Sequence, residues 1–312
     1  MRFEVCVMAY ALGLVACSGG GGSNSSENTP TPISTPTATS SIKYFGYSAI
    51  ACDHDDPLDN EVKIDYSDEV SGFTNANQVC VTGDFDALAT RLSETAAQYT
   101  PVFYIEPVFF QLNGTQLEEN PNSAILWNGV KQAITNSGVS PDELIFYIVD
   151  EPTHRGLDLS HVATAIDAVK TEYPNSKIMM IEAYHGPNAP TILAQVDLWG
   201  FNAYTIEDPA EEPLYTNYLD MASERLEDHQ SLVMIMDANH TPIHEQAGLS
   251  ETDMADVATN YLNLAQSRTD ISMVLAYTWA GGIDHLDEKG VRNLPESVQE
   301  RHREIGRLIL GN

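Results

Sequence analysis

The stretch Leu144-Ile-Phe-Tyr-Ile-Val-Asp150-Glu151-Pro152 decides how this 312-residue chain is read. An unbroken apolar and aromatic run enters two acids and a proline. Such a run, bounded by turn signals, predicts a strand buried on both faces, as in a parallel sheet. Packing alone gives no reason for carboxylates at its end, because burying them unpaired costs on the order of several kcal/mol. Pro152 disfavours helix in the residue before it, so Glu151 is expected to be extended, with its side chain fixed on the strand's rim. The competing structural reading is a strand-end acid that caps the next segment or pairs with nearby Arg155.

Working outward, seven further strands flank this one: 43–51, 76–81, 101–106, 177–182, 196–204, 231–237 and 271–279. Between them lie helical patterns beginning near Asp84 and over 124–137, 160–173, 215–228 and 251–266, with Ser160 as a candidate N-cap. A last helix over 295–310 closes the chain. Eight strands at this spacing, with helical patterns between them, predict a (β/α)8 barrel. No Gly-rich phosphate loop follows the first strand, which argues against an open nucleotide-binding sheet.

In a barrel of this kind the functional face lies at the C-terminal ends of the strands. Those positions hold Asp53, His54 and Asp55, then Glu106, then Asp150 and Glu151. Further along come Glu182 with Tyr184 and His185, Asn202 with Tyr204, Asp237, and Trp279. Acids and amides hydrogen-bond hydroxyls, and flat rings stack on the C–H faces of pyranoses. A carbohydrate ligand is therefore expected. His240 and His244 are separated by Pro242, and the first strand has no His-x-His, so no metal or cofactor is expected.

On these residues the chain resembles the glycoside hydrolases built on (β/α)8 barrels. In their large retaining superfamily, strand 4 ends Asn-Glu-Pro with Glu as acid/base, strand 7 supplies a carboxylate nucleophile, and strand 8 ends in Trp. Asp150-Glu151-Pro152, Asp237 and Trp279 stand at the matching places, with Asp for the Asn and Asp for the usual strand-7 Glu. An Asp-Glu-Pro at strand 4 is equally similar to barrel N-acetylhexosaminidases, in which the Asp orients the substrate's own acetamido group. The resemblance implies a glycosidase with Glu151 as general acid, its pKa raised by the neighbouring Asp150. Asp237 is the nucleophile by position and Glu182 its rival, while Trp279, Tyr204, Asn202, Tyr184, His185, Glu106 and His54 would bind substrate. A glycan-binding barrel without catalysis is the alternative from another class.

The N-terminus reads as an address. Residues 1–17 form a short apolar signal ending Leu14-Val15-Ala16-Cys17, similar to a bacterial lipobox, with Cys17 as the lipidated residue. Residues 18–41 are a Gly/Ser/Pro/Thr-rich tether, and 42–312 a single barrel domain. Ser18 after the cysteine points to the outer membrane of a Gram-negative cell. The formal charge of −30 argues against nucleic acid or an anionic membrane surface as partner, leaving the lipid as the membrane contact. A monomer is expected. Cys52 and Cys80, an even pair in an oxidising compartment, are expected to form a disulfide.

Overall fold

A computed structural model describes residues 41–311. The signal, lipidation and most of the tether expected from the sequence fall outside these residues. The strands are β1 (Tyr44–Tyr47), β2 (Ala76–Cys80), β3 (Thr100–Tyr104), β4 (Ile145–Asp150), β5 (Lys177–Ala183), β6 (Leu198–Asn202), β7 (Ser231–Asp237) and β8 (Ile271–Tyr277). All pair in parallel, in the order β1-β8-β7-β6-β5-β4-β3-β2. The fold is an eight-stranded (β/α)8 barrel.

Side-chain alternation divides the core in two. Val102, Ile145, Tyr147, Met179, Ile181, Leu198, Val233, Ile235, Met273 and Leu275 fill the barrel interior. Their strand neighbours Phe103, Phe146, Ile178, Met180, Trp199, Met234 and Val274 pack outward under the helices. This double burial is why β4 reads as a continuous apolar run. Six helices cover the outside: α1 (Phe85–Ala96), α2 (Ser123–Ser137), α3 (Leu159–Glu172), α4 (Pro213–Ser223), α5 (Met254–Ser267) and α6 (Glu296–Leu310). Asp84 caps α1 by accepting from the backbone N–H groups of Asp86 and Ala87. The cap of α3 is Asp158, which accepts from Ser160 N, and not Ser160 itself. Residues 48–75 and 184–197 contain no helix; in the first, buried Tyr66, Val70 and Phe73 fill the place a helix would take.

The β1–β2 seam closes differently from the rest. No ladder joins the two strands apart from a bridge between Ala51 and Val79. Side-chain amides substitute: Asn75 Oδ1 accepts from Phe45 N at 2.8 Å and Asn77 Oδ1 from Tyr47 N at 3.4 Å. The strands approach so closely that a Cβ on Gly46 would lie 1.2 Å from Ala76 O, so only glycine fits there. The expected disulfide, Cys52–Cys80, pins the upper end of the seam.

Candidate active site

The last turn of β4 aims its two acids. The register of β4 against β5 shifts between Tyr147 and Val149, a bulge that sends both Ile148 and Val149 to the outer core. The inward parity thereby passes from odd to even positions, and Asp150 points at the barrel axis. Its Oδ1 accepts from Tyr147 OH at 2.6 Å and from Asn202 Nδ2 at 3.3 Å. Glu151 follows with φ +46°, in the left-handed region and not extended as its place before proline predicts. Backbone bonds hold it there: Glu151 N donates to Ile181 O at 2.8 Å, and Glu151 O accepts from Arg155 N at 3.0 Å. Its Oε1 accepts from Asn202 Nδ2 at 2.8 Å. A strained backbone over-determined in this way is a mark of functional positions.

Glu106 and Arg155 form the base beneath this turn. Arg155 grips both Glu106 oxygens at 2.9 Å and donates to Asp150 O at 3.0 Å, while Glu106 Oε2 accepts from Asp150 N at 2.9 Å. Glu106 is buried and fully engaged, so it positions β4 and presents nothing to a ligand, contrary to the binding role expected of it. Arg155 takes Glu106 as partner, not the strand-4 acids.

Around the mouth stand Tyr104, Tyr147, Tyr204 and Tyr277, paired as Tyr104–Tyr147 at 4.9 Å and Tyr204–Tyr277 at 5.6 Å between ring centroids. Burial first, then the nearby acids, pushes all four phenols well above their ordinary range, so they remain donors. Tyr204 OH donates to Asn202 Oδ1 at 3.3 Å. His185 stands half-buried at the rim, with Nε2 2.6 Å from Thr153 Oγ1. Its hydrogen bond to Glu182 outweighs burial and lifts its pKa, with the Glu151 charge adding to the rise.

Several expected site residues lie elsewhere. Trp279 is buried; its indole N–H donates to Glu69 at 2.7 Å and its ring packs on Tyr47 and Phe73. β8 ends at Tyr277, and that ring occupies the mouth position expected for the tryptophan. Glu182 follows inward Ile181 and so faces the helix side, where it serves His185. Tyr184 packs edge-on against Tyr218 and joins the outer core. His54 Nε2 is taken by Gly281 O at 2.7 Å, tying the loops after β1 and β8. Asp237 points inward but is fully buried: Oδ2 accepts from Thr205 N at 2.8 Å and lies 3.0 Å from His244 Nε2. A carboxylate so enclosed offers no oxygen to an anomeric carbon, so the strand-7 nucleophile expected by position is not available in this arrangement.

Asp284, on the loop after β8, is not among the site residues expected from the sequence. Tyr277 OH donates to its Oδ2 at 2.8 Å, and its Oδ1 is buried without a partner. Burial and the charge of Glu288 push it up to about 7 against the Tyr277 hydrogen bond and His285, with Glu151 adding to the rise. Burial, then the charge of Glu151, likewise holds Asp150 well above the usual carboxylate range. The signal in the sequence was the inward parity of Tyr277, hidden by setting the end of β8 two residues too late.

No protein-family model and no curated protein sequence matches the chain. Solved structures do share its fold. A glucosidase from Croceicoccus marinus is similar over 89% of this chain and 69% of its own, at 12% identity and TM-score 0.59. An FMN-binding beta-glucuronidase from Facaelibacterium prausnitzii is similar over 83% of this chain and 43% of its own, at 11% identity and TM-score 0.53. An alpha-amylase from Geobacillus thermoleovorans is similar over 87% and 79%, at 11% identity and TM-score 0.51. At these identities the likeness is one of barrel architecture.

Proposed function

We propose that this chain is a glycoside hydrolase that cleaves a poly- or oligosaccharide outside the cytoplasm, with Glu151 as a catalytic carboxyl. One observation carries the reading: a carboxylate in a left-handed backbone at the C-terminal end of β4, bonded to Asn202 and set among tyrosines at the mouth. Strain at that point stabilises nothing in the fold and places an oxygen where a ligand can meet it. The sugar-cleaving names of structures that share the fold agree with it. The lipobox-like Leu14-Val15-Ala16-Cys17 supports anchoring to the cell envelope by lipid, with residues 18–41 as tether. A second reading, substrate-assisted N-acetylhexosaminidase action, is favoured by Asp150, which the bulge turns inward beside Glu151.

The test is a screen of residues 42–312 against polysaccharides and chromogenic glycosides, paired with Glu151→Gln. Turnover that falls by at least about a hundredfold in the variant while ligand binding persists is the expected result. Binding with equal, negligible turnover in both forms would replace the enzyme with a glycan-binding barrel.

A further inference from the structure

Glu151 needs a second carboxyl, and neither Asp237 nor Glu182 is open to the mouth. In the ring order of strands, β4 and β8 lie four places apart in either direction, so they face each other across the barrel axis. A continuous line of contacts joins their ends. It runs from Glu151 Oε1 to Asn202 Nδ2 at 2.8 Å and from Asn202 Oδ1 to Tyr204 OH at 3.3 Å. The Tyr204 and Tyr277 rings then lie 5.6 Å apart, and Tyr277 OH reaches Asp284 Oδ2 at 2.8 Å.

The loop that carries Asp284 is fixed. Glu288 Oε2 accepts from the backbone N–H of Ile283 at 2.8 Å and of Asp284 at 3.0 Å, and its Oε1 accepts from Asn239 at 2.6 Å. Asp284 Oδ1 itself has no partner, and in the same network neither does Asn239 Oδ1. A buried polar oxygen left open calls for a group that the protein does not supply.

We propose that Asp284 is the second catalytic carboxyl of this site, donating a proton to the leaving oxygen while Glu151 acts as base on the opposite wall. The proposal rests on the glycosidase reading, and it gives Glu151 the base's part of the acid/base pair. The C1–O bond breaks with its electrons on the glycosidic oxygen, which takes the Asp284 proton and leaves as a hydroxyl. Water oxygen bonds to C1 and its proton passes to Glu151; exchange with solvent then restores both carboxyls. The groups facing Asp284 agree with a proton-bearing role. Glu288 and Glu151 favour its protonated form, and Tyr204 adds a neutral phenol, while Tyr277 and His285 act the other way.

The test compares wild type with Glu151→Gln, Asp284→Asn, Asp150→Asn and Tyr277→Phe on a glycan found by the screen and on the matching 2,4-dinitrophenyl glycoside. A good leaving group needs no protonation. Asp284→Asn should therefore lower kcat about a thousandfold on the glycan with KM little changed, and by less than about tenfold on the activated substrate. Glu151→Gln should fail on both. The alkaline limb of kcat/KM, near pH 7 in wild type, should disappear in Asp284→Asn and move to higher pH in Tyr277→Phe, which loses a hydrogen bond that favours the carboxylate. Tyr277→Phe keeps the test decisive should Asp284→Asn not fold. A glycan activity that survives Asp284→Asn but not Glu151→Gln overturns the assignment and leaves the glycosidase reading standing. Equal losses on both substrates overturn the donor role. Loss in Asp150→Asn with Asp284→Asn active overturns it in favour of substrate assistance. No wild-type turnover on any glycan removes the reading and this assignment together.

Discussion

His302 shows how strongly one residue can tie this barrel to pH. It is buried on α6 with Nδ1 3.0 Å from Tyr47 OH, and burial lowers its pKa to about 3. The folded state keeps the ring neutral, whereas the unfolded chain protonates it near the ordinary histidine value of about 6.5. The unfolded state therefore binds more protons between these values, and stability is lost as pH falls from 6.5 toward 3. One pH unit in that window corresponds to about 1.4 kcal/mol, so wild type should lose about 3 kcal/mol more than His302→Gln between pH 7 and pH 4. Urea titrations at the two pH values check this, and parallel losses in both proteins would count against it. At the same scale, the sequence made the site half legible. Glu151, Asp150, Asn202, Tyr204 and His185 do meet at the mouth, because strand ends mark the functional face of a barrel. Tyr184 and Glu182 do not, since even positions at the end of β5 face outward, and Trp279 does not, since it lies two residues past the end of β8, where alternation no longer decides facing. The β4 bulge, which aims Asp150, leaves no mark in residue type at all.

At the scale of elements, the weakest join is the one between β1 and β2. Asparagine amides and the Cys52–Cys80 bond stand in for a ladder there. The cross-link closes a segment with a sequence separation of 28, worth about 3–4 kcal/mol in the chain-entropy account. Replacing both cysteines by serine should cost that amount. It should also raise hydrogen exchange in β1 and β2 before the other strands, which native-state exchange would show. Uniform exchange across all eight strands would mean the seam is no weaker than the rest. The cysteine pairing and the strand count were legible because apolar runs and even cysteines are local signals. The missing helices after β1 and β5 were not, because coil that packs through scattered residues such as Tyr66, Val70 and Phe73 has no period to read.

The molecule as a whole carries 45 acids against 15 lysines and arginines. Three acids for every base leave most carboxylates without a cation, whatever pairs form locally. Their mutual repulsion opposes the compact state, and salt relieves it: the Debye length falls from about 30 Å at 0.01 M to about 3 Å at 1 M. Melting temperature should accordingly rise by several degrees between these concentrations of sodium chloride at pH 7. An unchanged or lower value in high salt would show that local ion pairs, such as those of Arg292 with Asp56 and Glu69, outweigh the net field.

The left-handed backbone at Glu151 also bears on ancestry. Gly and Asn adopt that conformation at lower cost than Glu, so folding alone favours their appearance at this position. On the function proposed above, selection for a carboxylate holds Glu there. In a lineage released from that selection, residue 151 should drift to Gly or Asn early, while Glu106 and Arg155, which the fold itself requires, persist. The identity of one residue thus separates descendants that kept the chemistry from those that kept only the barrel.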